Sequence, residues 1–401
     1  MSKYITIYTQ AYNVEAYIEQ CIISVISQTY QNFEWLLIEN GSTDKTRDII
    51  KKYVQQDSRI KVEYFEENQR GFANDYIGEK ALGDYIVKLD SDDYIASDYL
   101  EMLMKNIEKN NADLVMCDAW FFGENIEGRR MRGDSENFVV RIADLRDKFP
   151  LLANGINVYW GKLMEKNKFI EADRLLTRYF AEKNSIAPLY GGDTLFMHSY
   201  LSLCDKIAVT NSVGYYYRIH KKSSGNRCMD LKRIDDFVIL LNEYKDFLNR
   251  FGAWTEKNIQ IAYFSFWQNI DVLLKSVIQD DGLEICNKIE QVQKIFTNVK
   301  VYEIRKEYIS EQIRNVIIKH VAWCFTNLQD ECQCYFRDIL KIVEPDLWEK
   351  FSDVQYKYLL EHREVLALFI LGEYTEGCKQ LMKNKNSVGN EIIDIYVNTA
   401  K

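Results

Sequence analysis

With 401 residues the chain is too long for one small core, and length alone calls for two or three domains. Hydrophobic residues at 47%, charged residues at 28% and only three prolines (Pro150, Pro188, Pro345) describe a chain folded throughout and exclude long disordered linkers. The net charge of -9 disfavours a nucleic-acid backbone as partner, and the longest apolar run, 365–371, is far short of the ~20 residues of a membrane span.

Nine scattered cysteines without zinc-finger spacing read as reduced, mostly buried thiols. Strand-like sequence begins directly after Met1-Ser2-Lys3, so the expectation is a cytoplasmic, soluble protein with no nucleic-acid partner and no membrane span. Peripheral membrane association stays open.

In chain order, Tyr4-Ile5-Thr6-Ile7-Tyr8 is rich in β-formers, and Thr9-Gln10-Ala11-Tyr12-Asn13 suits a loop that lines a ligand. Apolar residues at Ile18, Ile22, Val25 and Ile26 predict a helix over 15–28, and 33–38 is again strand-like, which makes a βαβ unit. The turn-forming Glu39-Asn40-Gly41-Ser42-Thr43-Asp44 then opens a helix over 45–54. A strand over 60–65, a helix over 72–81 and a strand over 85–89 continue the alternation, so the fold class is α/β with a parallel sheet. A helix over 98–110 and a strand over 113–122 follow. The Arg-rich Gly128-Arg129-Arg130-Met131-Arg132-Gly133 reads as an exposed hairpin or loop with a solvated surface.

The strand over 85–89 runs straight into Asp90-Ser91-Asp92-Asp93. In open α/β sheets ligands bind beyond the C-terminal ends of strands, and carboxylates there suit a hard divalent cation and its phosphate partners. A calcium loop is excluded, because Ile95 stands where an EF-hand-like frame wants Gly and a strand stands where it wants a helix. Taken by itself the loop leaves two readings open: a metal and nucleotide site, or an acidic turn capping the next helix.

Beyond about residue 228 strand signals stop and helical periodicity takes over, as in Ile234, Phe237, Leu241, Tyr244 and Leu248, or Phe266, Ile270, Leu273, Leu274 and Val277. Further helices are expected over 303–328, 332–343, 345–360 and 364–383. The expected domains are 1–228 and an all-α part over 229–401. Its aromatic load, as in Tyr263-Phe264-Ser265-Phe266-Trp267, fits helix core better than an acceptor or dimer surface, although self-association through the helices stays open.

Four stretches in order carry a resemblance. Gln10-Ala11-Tyr12-Asn13, Gln28-Thr29-Tyr30-Gln31-Asn32-Phe33-Glu34, Glu39-Asn40-Gly41-Ser42-Thr43-Asp44 and Asp90-Ser91-Asp92 resemble successive motifs of the inverting family-2 nucleotide-sugar glycosyltransferases, whose domain has the Rossmann-like A-type fold. The resemblance covers about the first 230 residues and shifts the acidic loop towards its metal and nucleotide reading. It implies a Mn²⁺- or Mg²⁺-dependent enzyme of the hexosyl- or N-acetylhexosaminyl-transferase class, moving a sugar from a nucleoside diphosphate to a hydroxyl. The acceptor would be a glycan, lipid-linked glycan, teichoic-acid-like polymer or protein, as in cell-surface polysaccharide synthesis.

Carried over by residue, the resemblance makes Asp92 a metal ligand, with Asp90 near the ribose or on the metal through water; His220 is the candidate extra ligand, and a structural or surface role for it stays open. Gln10, Ala11, Tyr12, Glu39, Asn40, Asp75, Asp90, Ser91, Lys162 and Arg218 would line the donor. Trp160-Gly161-Lys162 and Gly191-Gly192-Asp193-Thr194 stand where the family has a Trp-x-Lys stretch and a Glu-Asp pair, which makes Asp193 the implied catalytic base. On its own residues Asp193 could also cap the helix that follows, but the preceding Gly191-Gly192, which allows close backbone approach, favours the catalytic role. Two family positions depart: Asp-Asp-Gly-Ser has become Glu39-Asn40-Gly41-Ser42, and Arg-Asn has become Asp75-Tyr76. A rearranged nucleobase pocket is expected, with Asn40 as the neutral partner of Asp75. Two other readings stay open, a nucleotidyltransferase and a degenerate transferase domain that serves as a binding or scaffold protein.

Overall fold

The structure is a computed structural model that describes residues 3–69, 74–124, 126–133, 136–182, 188, 190–220, 230–308, 310–326, 348, 350–362, 365–366, 374–384 and 386–399. It divides into two compact units, 1–223 with 242–261, and 224–241 with 262–401.

The first unit is built on one ten-stranded sheet. Strand β1 (Ile5–Ala11) pairs in parallel with β2 (Phe33–Asn40) and with β4 (Tyr85–Lys88), and β2 pairs in parallel with β3 (Ile60–Phe65). Every residue of β2 is buried, as expected for an interior parallel strand covered on both faces. Helices α1 (Ile18–Ile26), α2 (Thr46–Val54) and α3 (Asn74–Lys80) make the crossovers. Ile18, Cys21, Ile22 and Val25 of α1 join Ile5, Ile7, Trp35 and Leu37 in the core.

Past β4 the sheet departs from the all-parallel expectation. Strand β9 (Lys162–Glu165) is inserted antiparallel between β4 and β6 (Leu114–Gly123), and the long β10 (Lys206–Ile219) runs parallel to β6. Two reversals restore the direction, so β10 points the same way as β4, and their C-terminal ends lie at one edge of the sheet. Short β5 (Tyr94–Ile95) pairs antiparallel with β10 there. Helix α4 (Tyr99–Asn110) ends in the left-handed Asn111.

The Arg-rich stretch forms the expected hairpin, with Arg129 and Gly133 exposed, but it is not solvated throughout. Arg129–Arg130 forms strand β7 against β6, and Arg130 Nε lies 2.8 Å from Oδ2 of the fully buried Asp118. The three guanidinium nitrogens of Arg132 are also buried. Asp118 needs a cationic partner to be buried, and Arg130 supplies it.

Helices α5 (Leu145–Ile156), α6 (Lys166–Glu182) and α7 (Gly192–Leu201) complete the first unit together with the second half of α8 (Arg233–Arg250). Among its described residues the second unit consists of helices and the short turns that join them. It holds most of α9 (Glu256–Ile278), then α10 (Ile285–Phe296), α11 (Val299–Glu307), α12 (Glu311–Thr326), α13 (Asp353–Glu361), α14 (Tyr374–Asn384) and α15 (Ser387–Thr399). Phe266, Trp267, Ile270, Leu273 and Leu274 are core, as their spacing implies. The helix expected over 303–328 is two, because Tyr308 is extended after α11. The helix expected over 332–343 lies outside the described residues. No helix among the described residues is long and apolar enough to cross a membrane. Cys21, Cys117, Cys204, Cys324 and Cys378 are free and buried, but Cys286 is disulfide-bonded, which corrects the all-reduced reading.

Candidate active site

Three polar loops meet at the C-terminal edge of the sheet. The loops after β1 and β2 are laced together. Asn13, held at φ 53°, accepts the Thr43 N–H at 2.8 Å and donates its own N–H to Ser42 Oγ at 3.1 Å. Val14 N–H donates to Thr46 Oγ1 at 2.9 Å, and Glu15 N–H to Asp44 Oδ2 at 3.1 Å. Tyr12 stands free of this lacing with 38% of its surface exposed, beside the exposed side chain of Gln10 and the buried Ala11.

Glu39 is fully buried and committed within the protein: Oε1 accepts the Ser42 N–H at 2.7 Å, and Oε2 pairs with Arg47 Nε at 2.5 Å. Arg47, a partner that sequence reasoning missed, sits in the first turn of α2. Asn40 is bound to the segment before α3, donating to Asn68 Oδ1 at 3.1 Å and to the Gln69 carbonyl at 3.0 Å, and accepting the Gln69 N–H at 2.9 Å. Its role as partner of Asp75 finds no support in these bonds, and the Asp75 side chain lies outside the described residues.

The acidic loop hangs from the end of β4. Asp93 is buried and is the loop's internal anchor, accepting the Tyr215 hydroxyl at 2.8 Å and the Arg218 N–H at 2.6 Å. The same Tyr215 oxygen accepts the Asp90 N–H at 3.1 Å, so β10 fixes the loop at both ends. Ser91 is buried between them. Burial, with Asp90 and Asp92 adding to it, pushes the Asp93 carboxyl well above the usual range. Asp92 stays at the rim, its Oδ2 2.9 Å from His220 Nε2, and its carbonyl accepts Arg218 Nε at 2.8 Å. The Arg218 guanidinium lies over the rings of Tyr17 and Phe122, at 4.9 and 4.6 Å.

Burial also raises the Asp90 carboxyl, against the Lys88 ammonium 3.4 Å away and with Asp92 and Asp193 on the raising side. Burial works to depress Lys88, but Asp193, Asp90 and Tyr8 outweigh it and hold its pKa above the ordinary value. Asp193 is therefore close enough to act on both groups. It occupies the first turn of α7 behind Gly191 (φ 82°), and no side chain caps that helix. Its carboxylate, half-buried, makes no hydrogen bond to the described residues, so it is not held as a cap.

Lys162 is turned inward. Its Nζ donates to the carbonyls of Gly155 (2.6 Å), Val158 (2.5 Å) and Trp160 (3.3 Å), while burial and Arg132 push its pKa down to about 7. It shapes the turn that stacks Trp160 on Tyr215 and Tyr217, at 4.7 and 5.2 Å.

The other motif residues are architectural. Buried Gln28 donates to the Ala96 carbonyl at 2.6 Å and accepts the Leu100 N–H at 3.0 Å, joining α1 to the segment after the acidic loop. Buried Glu34 accepts Thr6 Oγ1 at 2.7 Å and the Leu82 N–H at 2.6 Å, which fixes the entry to β4.

The donor set fits a divalent cation. Asp92 and His220 offer a hard oxygen and an imidazole nitrogen, whose 2.9 Å separation matches neighbouring ligands on a cation with bonds of about 2.1 Å. Positive charge there would relieve the repulsion among Asp90, Asp92 and Asp93. Among the described residues no three His, Cys, Asp or Glu gather as a ready cage, so phosphate oxygens and water would complete the shell.

A largely buried sheet with polar and acidic loops at one edge defines an α/β domain of Rossmann-like character. Residues 6–170 match the family model Glycosyl transferase family 2. An uncharacterized glycosyltransferase of Haemophilus influenzae is 43% identical over 120 residues, 28% of this chain and 48% of that protein. Glycosyltransferase GlyA of Streptococcus pneumoniae is 29% identical over 268 residues, 64% of this chain and 36% of GlyA. Glycosyltransferase GlyG of the same organism is 28% identical over 249 residues, 59% of this chain and 78% of GlyG. The chain thus spans less than half the length of the first two relatives.

Proposed function

We propose that the protein is a cation-dependent, inverting glycosyltransferase that moves a hexosyl or N-acetylhexosaminyl unit from a nucleoside diphosphate to a hydroxyl acceptor. The observation that carries this reading is the pairing of Asp92 with His220 at the sheet edge, beside Asp90 and within electrostatic reach of Asp193. The family-2 match and the names of the relatives support it.

Asp92 and His220, with Asp90 nearby, would hold Mn²⁺ or Mg²⁺, which when bound offsets the negative charge growing on the leaving diphosphate. Tyr12 and Gln10 are the free side chains available to the nucleoside, since Glu39 and Asn40 are occupied in shaping the pocket. Asp193 takes the proton of the acceptor hydroxyl while that oxygen bonds to the anomeric carbon and the bond to the diphosphate breaks on the opposite face. Lys88, 3.4 Å from Asp90, opposes the effect of burial on that carboxyl by its charge. The acceptor is a hydroxyl of a glycan, lipid-linked glycan or polymer, and the chemistry takes place on the cytoplasmic side, where nucleotide-sugars are made.

The test is a panel of UDP-, TDP-, CDP- and GDP-sugars with Mn²⁺, read by nucleoside diphosphate release and thermal shift. Turnover of one donor class supports the proposal. Binding without turnover would favour the scaffold reading, and release of pyrophosphate from a nucleoside triphosphate would favour a nucleotidyltransferase. Asp193→Asn should keep donor affinity nearly intact and cut transfer by roughly 10²-fold or more.

A further inference from the structure

Asp193 makes no hydrogen bond to the described residues, so among them its position depends on what holds α7 from behind. Seven of the ten residues of α7 are buried, and Asp193 is not among them. On the packed face His198 is fully buried, and its Nδ1 meets Glu243 Oε2 of α8 in a short hydrogen bond. The acceptor is a carboxylate, so Nδ1 is the protonated nitrogen that donates. The imidazole lies flat on Phe247 (4.3 Å, 10°) and edge-on to Tyr244 (4.6 Å, 84°). Tyr244 donates at 2.6 Å to Oδ1 of Asn157, whose carbonyl accepts Thr194 Oγ1 at 3.5 Å, next to Asp193 in the chain. Glu243, Tyr244 and Phe247 thus grip α7 at its middle and, through Asn157, at its first turn.

A buried imidazole–carboxylate pair is a costly way to join two helices that apolar side chains could join, and its return is a directional bond that fixes the rotation and height of α7. We infer that His198 and Glu243 are positioning residues that set the catalytic carboxylate of Asp193, a role that rests on the base reading above. Glu243 also lines a cleft with Arg178, Tyr179 and Arg250, so the charged groups around the pair belong to α6 and α8. The same α8 segment, 242–250, lies beyond the expected end of the catalytic domain, which gives this stretch a purpose in the first unit.

The experiment is a double-mutant cycle on the full chain with the donor that the panel identifies. Glu243→Gln, isosteric and able to fold, and His198→Ala are each made alone and with Asp193→Asn. Each single variant should lower kcat about tenfold with donor KM within twofold, and neither should lower kcat further when Asp193 is already Asn. Equal losses in both backgrounds, or no loss in either, would overturn the positioning role while Asp193→Asn still reports on the base. If Asp193→Asn alone keeps full turnover, the base reading falls and this inference with it. Should His198→Ala fail to fold, Glu243→Gln decides the outcome.

Discussion

At the scale of single residues, the site is organised by charges that cannot be buried alone. Asp93 is tolerated because Tyr215 and the Arg218 amide donate to it, and this leaves Asp92 and His220 as the partly buried pair at the rim. Asp92→Ala should abolish cation-dependent donor binding; nucleotide affinity measured with and without a chelator checks this, and equal affinities in the unmodified protein would refute the metal assignment. A second carboxylate, Asp113, works purely for stability. Burial would raise its pKa, but the amides of Lys206 and Asp205 and the Lys168 ammonium outweigh it and hold it below the ordinary value. A depressed folded pKa means stability that is present above the unfolded value of ~3.9 and is lost as pH falls through the folded pKa. Asp113→Asn should therefore destabilise by about 1 kcal/mol at neutral pH, with the gap closing below pH ~4 in acid-titrated thermal melts.

At the scale of elements, the loops after β1 and β2 act as one layer because backbone donors of each find side-chain acceptors in the other. Gly41 is the position where that layer admits no side chain. Its φ is +73°, and a Cβ there would come within 2.7 Å of the Glu67 carbonyl carbon and 2.9 Å of the Asn68 nitrogen, both backbone atoms. Gly41→Ala combines left-handed strain of roughly 1–2 kcal/mol with displacement of the segment that Asn40 binds. The expected outcome is a Tm lowered by several °C and a donor KM raised more than kcat is reduced. An unchanged KM would detach this loop from nucleotide binding.

At the scale of the whole chain, the two compact units exchange a segment: residues 242–261 belong with the sheet. Within the first unit Tyr244 and Phe247 pack on Phe149, and Asn258 donates to the Arg146 carbonyl at 2.9 Å. A chain cut after Cys228 loses these contacts and exposes Phe149 and His198. It should be insoluble or inactive, as read by soluble yield and donor turnover, whereas extension to residue 261 should improve solubility. A fully active fragment ending at 228 would show instead that 242–261 is dispensable to the sheet.

What the sequence by itself determined is what short-range pattern encodes: the β1, β2, β3 and β4 strands, their crossover helices, the helical character of the later half, and an acidic loop at a strand end. Those follow from residue spacing and turn chemistry within some ten residues. Three of the four motifs lie at the C-terminal edge of the sheet, whereas Gln28 and Glu34 are structural supports and Lys162 is an inward brace. Tertiary structure decided the rest. It inserted β9 against the parallel grain, brought His220 to Asp92 across 128 residues, and paired Arg130 with Asp118. It also set Glu243 behind the helix that carries Asp193. These pairings arise because buried polar groups must find partners wherever the folded chain supplies them, and that requirement leaves no local periodicity to read.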